Sequence, residues 1–193
     1  MRNFTPGIVV HQFITKNGYE AIIRYPQPSV VEAMTNYINV ISSEDTYVTV
    51  SGEQISKDEE SKFLDEQFEK INNGDGVLLI CTINGEIVGI SGVTRNQNSR
   101  RRALHTGIFG ISIKKEFRGQ GIGHELAKSV IDQAKMNIDG MRIVTLTVYQ
   151  PNKQAKQLYE KLGFKEYGYL PQGIWYKDSY IDEISMYLPV MSS

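Results

Sequence analysis

Arg118-Gly119-Gln120-Gly121-Ile122-Gly123-His124 sets three glycines within five positions, directly ahead of an apolar helical repeat. Glycine tolerates the left-handed backbone angles that turn successive N–H groups toward one point, and a following helix brings its positive dipole end to the same place. Such a loop suits an anion, above all a phosphate. Two other phosphate loops do not fit. A P-loop needs Gly, four residues and Gly-Lys-Ser/Thr, and no such run exists; a dinucleotide fingerprint needs a third glycine where Leu126 stands.

The remaining reactive side chains point to less. Cys81 is the only cysteine and sits in Val77-Leu78-Leu79-Ile80-Cys81-Thr82-Ile83, where it reads as a small buried hydrophobe rather than a nucleophile. An intrachain disulfide is ruled out, which suits a reducing cytoplasm. His11, His105 and His124 lack metal-ligand spacing, so no metal is expected.

The elements that position the glycine loop follow from periodicity and turn residues. His11–Thr15 and Tyr19–Tyr25 flank Lys16-Asn17-Gly18 and predict a hairpin turning on positive φ at the Asn-Gly pair. Ser29-Val30-Val31-Glu32 has the capping-box form before a first helix carrying Val31, Met34, Tyr37, Ile38 and Ile41 on one face. Ser56-Lys57-Asp58-Glu59 is a second capping box, before Phe63, Leu64, Phe68 and Ile71; its acids suit the helix dipole. Val77–Ile83 and Glu86–Val93 join through Asn84-Gly85 as antiparallel strands, and Ala103–Ile113 is the strand that feeds the loop. Thr94–Arg102 between them is polar and reads as a mobile loop, with Arg100-Arg101-Arg102 solvated.

The loop's helix runs from Gly121 to about Ile138, burying Leu126, Ala127, Val130, Ile131 and Ala134. Arg142–Val148 is the next strand. Asn152 caps a helix carrying Ala155, Leu158, Tyr159 and Leu162 up to Gly163. Two last strands, near Gly168–Leu170 and Tyr180–Leu188, are expected on either side of a loop or turn around Gly173–Asp178. The order is mixed α/β without Rossmann alternation at its start.

Arg-Gly-x-Gly-x-Gly after a strand resembles the acyl-CoA pyrophosphate loop of the GNAT acetyltransferases. Asn152, three residues, Ala155, three residues, Tyr159, and then Leu162-Gly163-Phe164 looks like that family's second signature. The resemblance runs from about Tyr19 to Leu188, with its specific motifs within Gly107–Phe164 and a looser echo in Tyr180–Leu188. It implies a GNAT-like fold in one domain over residues 1–193: a mixed, mostly antiparallel sheet of about seven strands flanked by about four helices. It implies acetyl-CoA as co-substrate, its pyrophosphate on Arg118, Gly119, Gln120, Gly121, Ile122, Gly123 and His124, and its pantetheine along Ile111, Ser112 and Ile113 like an added strand. By the same resemblance Asn152 contacts the coenzyme and Tyr159 is the general acid for the departing thiolate. Arg100-Arg101-Arg102 has the coenzyme's 3′-phosphate as its second reading.

The implied reaction moves acetyl to a primary amine in a ternary complex; the alternative is a non-catalytic acyl-CoA-binding module. In the ribosomal-protein alanine acetyltransferase branch a glutamate base occupies the position of Thr147, and threonine cannot replace it near neutral pH. A water relay, Glu86, Glu53 and His105 are the candidates for that duty. The family places the acceptor between Ser42–Ile55 and Gln172–Tyr180, where Glu44, Asp45, Glu53, Trp175, Tyr176 and Asp178 stand. The acceptor is narrowed to an amino acid, a polyamine, another small amine or a protein amine, and a homodimer is compatible with the family.

A net charge of −1 over 193 residues gives no electrostatic reason to expect nucleic acid as a partner. No apolar run approaches the ~20 residues of a membrane-spanning helix, and the first residues lack the ordered regions of a signal peptide. No membrane partner and a cytoplasmic location are therefore expected.

Overall fold

Asn84 and Gly85 take φ of 50° and 83°, the primed-turn geometry whose twist matches the strands it joins, and they close β3 (Gly76–Ile83) onto β4 (Glu86–Arg95). The computed structural model describes residues 5–97 and 100–190. All eight residues of β3 are buried, which accounts for its unbroken apolar run: a strand covered on both faces shows no alternation. Trimming a fully buried member such as Leu79 to alanine is expected to cost about 2–5 kcal/mol.

Before β3 come β1 (Val9–Ile14), β2 (Glu20–Arg24), α1 (Val31–Ser43) and α2 (Lys57–Asn72). After β4 come β5 (Thr106–Ile113), α3 (Ile122–Asn137), β6 (Ile143–Tyr149), α4 (Lys153–Lys161), β7 (Lys165–Tyr176) and β8 (Ser179–Pro189). Among the described residues, eight strands form one sheet in the order β1-β2-β3-β4-β5-β6-β8-β7, antiparallel except between β5 and β6. That is one strand more than the expected seven, with the same four α-helices. Tyr37 of α1 reaches Ser112 on one face of β5, while Leu126 of α3 lies beside Ile113 on the other, so α1 and α3 cover opposite faces.

Local signals held in part. The Ser56–Glu59 capping box is formed in both directions. The Ser29–Glu32 box is not: Pro28–Val30 make a short 3-10 turn, which absorbs Ser29, and α1 starts at Val31 without a side-chain cap. In the first hairpin only Gly18 has positive φ, at 84°; Asn17 does not share it, because the loop is longer than two residues and closes by Gly18 N–H to Thr15 O. The expected loop or turn around Gly173–Asp178 is narrower than its bounds: strand runs to Tyr176, and the chain turns on Lys177 and Asp178 at φ of 46° and 61°. Part of the expected mobile stretch, residues 98 and 99, lies outside the described residues; Arg100–Ala103 form a 3-10 turn.

Two irregularities shape the site. β5 and β6 pair only through Thr106–Ile108 and Ile143–Thr145, although β5 continues to Ile113 and β6 to Tyr149. Beyond that point each bonds only its other neighbour, β4 or β8, and the parallel pair splays open. The second is a bulge: Cys81 faces Gly89 and Thr82 faces Ile87, leaving Val88 extra. The Val88 carbonyl accepts from Lys114 N–H just past the end of β5. A Cβ on Gly89 would meet Ile113 Cδ1 at 2.5 Å and Leu126 Cδ2 at 3.2 Å, so a larger residue there would make the end of the Ile113 side chain move.

Candidate active site

The mouth between β5 and β6 opens into a cleft of about 720 Å³, within the range of about 300–1,000 Å³ usual for ligand pockets. β5 ends at Ile113, and the chain then passes through a 3-10 turn to Gly119 and Gly121, at φ of 77° and 92°. Gly121 is the N-cap of α3 and offers no capping side chain. His124 N–H donates to Gly121 O at 3.1 Å, and the N–H groups of Ile122 and Gly123 are left for an outside acceptor, where the helix dipole also favours negative charge. Lys16 N–H donates to Gln120 O at 3.1 Å and ties the first hairpin to this loop.

Of the residues expected to hold a coenzyme, Ile111, Ser112, Ile113, Arg118, Gly119, Gln120, Gly121, Gly123, His124 and Asn152 line the cleft together. Ile122 does not: it is 1% exposed, in the core under α3, and brings only its backbone N–H to the helix start. Lys16 and Lys161 also line the cleft and went unnoticed in the sequence, one in a hairpin turn and the other at the end of α4, where charge is ordinary. Arg101 and Arg102 do not line it. Gln120 Nε2 donates to Glu116 O at 3.0 Å, while its buried Oε1 has no protein partner.

Arg118 faces the cleft but is already bonded. Its Nε donates to Ile113 O at 2.8 Å and its Nη2 pairs with the Glu44 carboxylate, whose other oxygen accepts from Lys115 N–H at 3.0 Å. Glu44, expected in an acceptor groove, ties the loop after α1 to the stretch that leads into the glycine loop. Tyr37 reinforces the same strand end: its hydroxyl lies 2.8 Å from both the carbonyl and the hydroxyl of Ser112, and burial pushes its phenol well above the usual range.

Asn152 caps α4 by accepting from Ala155 N–H at 3.2 Å. Two turns on, Tyr159 lines the cleft while only 7% exposed. Its ring packs edge-on to Phe109 at 5.9 Å and tilted to Phe164 at 5.9 Å. Burial alone pushes its phenol up to about 12. Gly123 brings α3 against α4, with Leu158 Cδ2 3.3 Å from where a Cβ would stand.

The loop after α1 and the β7–β8 turn do meet, as an acceptor groove requires. Tyr47 lies 5.0 Å from Tyr176 and edge-on to Tyr149 at 6.1 Å, and the Tyr176 hydroxyl donates to Asp45 O at 3.2 Å. Lys177 pairs with Asp45 at 4.0 Å. Trp175 packs on Tyr180 at 4.8 Å and is absent from the cleft lining, as are Glu53, Asp178, Glu86 and His105. Glu86 is paired with Lys114, and Glu53 bonds the backbone of its own loop, which lowers its carboxyl below the usual range. No described helix is long and apolar enough to cross a membrane.

Residues 42–164 match the Acetyltransferase (GNAT) family, and the chain belongs to it. An uncharacterized N-acetyltransferase of Methanocaldococcus jannaschii is 38% identical over 89 residues, which are 45% of this chain and 38% of that protein. The L-amino acid N-acetyltransferase AaaT of Escherichia coli is 30% identical over 87 residues, 45% of this chain and 52% of its own length. The chain thus spans about half or less of these relatives. Among solved structures, yncA of Salmonella typhimurium, solved with its cofactor acetyl-CoA, superposes with a TM-score of 0.74 at 18% identity, covering 90% of this chain and 95% of that one.

Proposed function

We propose that the protein is an N-acetyltransferase that moves acetyl from acetyl-CoA to a primary amine in a ternary complex. One observation carries this reading: the splay of β5 from β6 leads from the uncapped start of α3 at one end to Tyr159 within the same cleft. The residues fit the co-substrate. The N–H groups from Gly119 to His124 suit its pyrophosphate, with Lys16, Arg118 and Lys161 supplying positive charge nearby. The β5 edge at Ile111–Ile113, turned away from β4, suits the amides of the pantetheine arm.

When bound, acetyl-CoA supplies a thioester carbon open to an amine. Tyr159, protonated throughout the neutral range, offers its O–H to the sulfur as negative charge develops there. An ordinary thiolate, near about 8.5, is a weaker base than this phenolate, so Tyr159 acts during C–S cleavage rather than by releasing a free proton. Asn152 holds the start of α4, and hence the placement of Tyr159 two turns on.

A second reading is a module that binds acyl-CoA without turning it over. The packing of Tyr159 among Phe109 and Phe164 favours it, since a core aromatic would look the same. Acetyl-CoA-dependent thiol release over a panel of amines separates the two. The AaaT relative makes free amino acids one arm of that panel; polyamines, simple alkylamines and lysine- or N-terminus-bearing peptides are the others. Acceptor-dependent release supports the enzyme, and coenzyme binding with silence across the panel supports the module.

A further inference from the structure

Tyr47, Tyr149 and Tyr176 form an aromatic wall beside the cleft, and Tyr47 is its lining member. The β6–β8 register is unbroken and sets Thr147 opposite Ser185 and Tyr149 opposite Glu183. Residues two apart in a strand share a face, and directly opposed residues have Cβ atoms about 4.5–5.5 Å apart. Glu183 therefore stands beside Tyr149, on the sheet face that the Tyr47 loop covers. Burial, and after it the Glu183 carboxylate, holds the Tyr149 phenol above its usual range. The other residues that β6 and β8 pair on that face are Ile143, Thr145, Thr147, Ser185, Tyr187 and Pro189, and none of them carries a carboxylate or an amine.

The base left vacant by Thr147 thus has a carboxylate one rung away on the neighbouring strand. We infer that Glu183 and the tyrosine wall form the acceptor's ammonium subsite, and that its substrate is a primary alkylamine with no carboxylate beside the amine. The inference rests on the acetyl-transfer reading. Phenol faces attract a cation, and a half-buried carboxylate beside them adds an opposite charge. An α-amino acid carries its carboxylate on the carbon that bears the amine, so that group would enter beside Glu183 and be repelled. Lys177 does not offset this at the Tyr149 end of the wall: Glu183 lies four strand steps from Ser179 near the turn, about 13 Å at ~3.3 Å per residue, and the Lys177 ammonium is taken up by Asp45 at 4.0 Å and by the Tyr176 ring at 5.1 Å, which leaves the faces of Tyr47 and Tyr149 to the acceptor.

The protons balance. Glu183 takes one proton from R–NH3+, and the freed lone pair forms the C–N bond. The C–S bond breaks with its electron pair going to sulfur, which takes the Tyr159 proton; the second amine proton returns to Tyr159 through water, and Glu183 releases its own to solvent.

Two matched pairs test this with the full chain: 3-methylbutylamine against leucine, and tyramine against tyrosine. Each is assayed by acetyl-CoA-dependent thiol release and by calorimetric titration into protein saturated with CoA. The expected kcat/KM favours the alkylamine at least tenfold, and Glu183→Gln loses at least thirtyfold while its CoA affinity stays within twofold. A preference for the amino acids, or a Glu183→Gln variant as active as the parent, overturns the inference. If no amine gives thiol release, the transfer reading fails, and the titration still decides the subsite: amine binding that disappears in Glu183→Gln upholds it, and absent or unchanged binding overturns it.

Discussion

Glu44 and Arg118 pair across the joint between the loop after α1 and the glycine loop before α3, and Arg118 also bonds the last carbonyl of β5. Glu44 is the C-cap of α1, and the chain leaves it through Asp45, at φ of 42°, to reach Thr46, Tyr47 and Val48 on the cleft wall. One carboxylate thus places both the loop proposed to hold the coenzyme phosphates and the wall proposed to meet the amine.

Glu44→Gln keeps the size and one acceptor oxygen but loses the charge, and hydrogen bonds to charged groups are worth about 1.5–3 kcal/mol. The KM for acetyl-CoA is expected to rise about tenfold, with kcat changed less than threefold. Steady-state kinetics at saturating amine read this directly. Tighter coenzyme binding in the variant would mean that Glu44 masks the charge of Arg118 more than it places the loop.

Gly121 has φ of 92° at the N-cap of α3, with open space where a Cβ would stand. Alanine there meets backbone strain of about 1–2 kcal/mol rather than a clash. Coenzyme affinity measured by calorimetry is expected to fall at least tenfold for Gly121→Ala, with a drop in Tm of a few degrees. Unchanged affinity would detach the glycine loop from anion binding.

Tyr25 and Tyr159 are pushed up to about 12 from 10.0, and Cys81 to about 12 from 9.0, all by burial; Tyr37 moves further in the same direction. The folded chain therefore holds protons that the unfolded chain releases, and stability falls as pH rises. It is fully present below about pH 9, where unfolded Cys81 begins to ionise, and is lost progressively up to about pH 12. Denaturant midpoints from pH 7 to 11 should be flat at first and then decline, and Cys81→Ala should remove the earliest part of the decline. A midpoint that rises above pH 9 would contradict the burial of these groups.

The glycine-rich turn and the helix behind it were legible in the residues, because glycine spacing and apolar period are local properties. So was the Asn152 cap, which needs only the three residues up to Ala155. The Ser29 box failed because Pro28 favours a tight turn that consumed it. The β7–β8 turn was bounded too widely, because Lys177-Asp178 lacks the glycine that usually marks positive φ in pairs. The duties of acids were the least legible. Glu44, Glu53 and Glu86 all looked like groove or base candidates, yet one clamps a loop, one bonds its own backbone and one faces Lys114. Which face of the sheet a carboxylate meets depends on register between strands distant in sequence, and that is how Glu183 came to stand beside Tyr149.

The most direct test compares the parent chain with Tyr159→Phe in amine-dependent thiol release, alongside the affinity of each for CoA. Phenylalanine keeps the packing on Phe109 and Phe164 and removes only the hydroxyl. The account predicts a kcat at least a hundredfold lower, with CoA affinity within twofold. Full turnover in the variant would contradict it and return Tyr159 to the core.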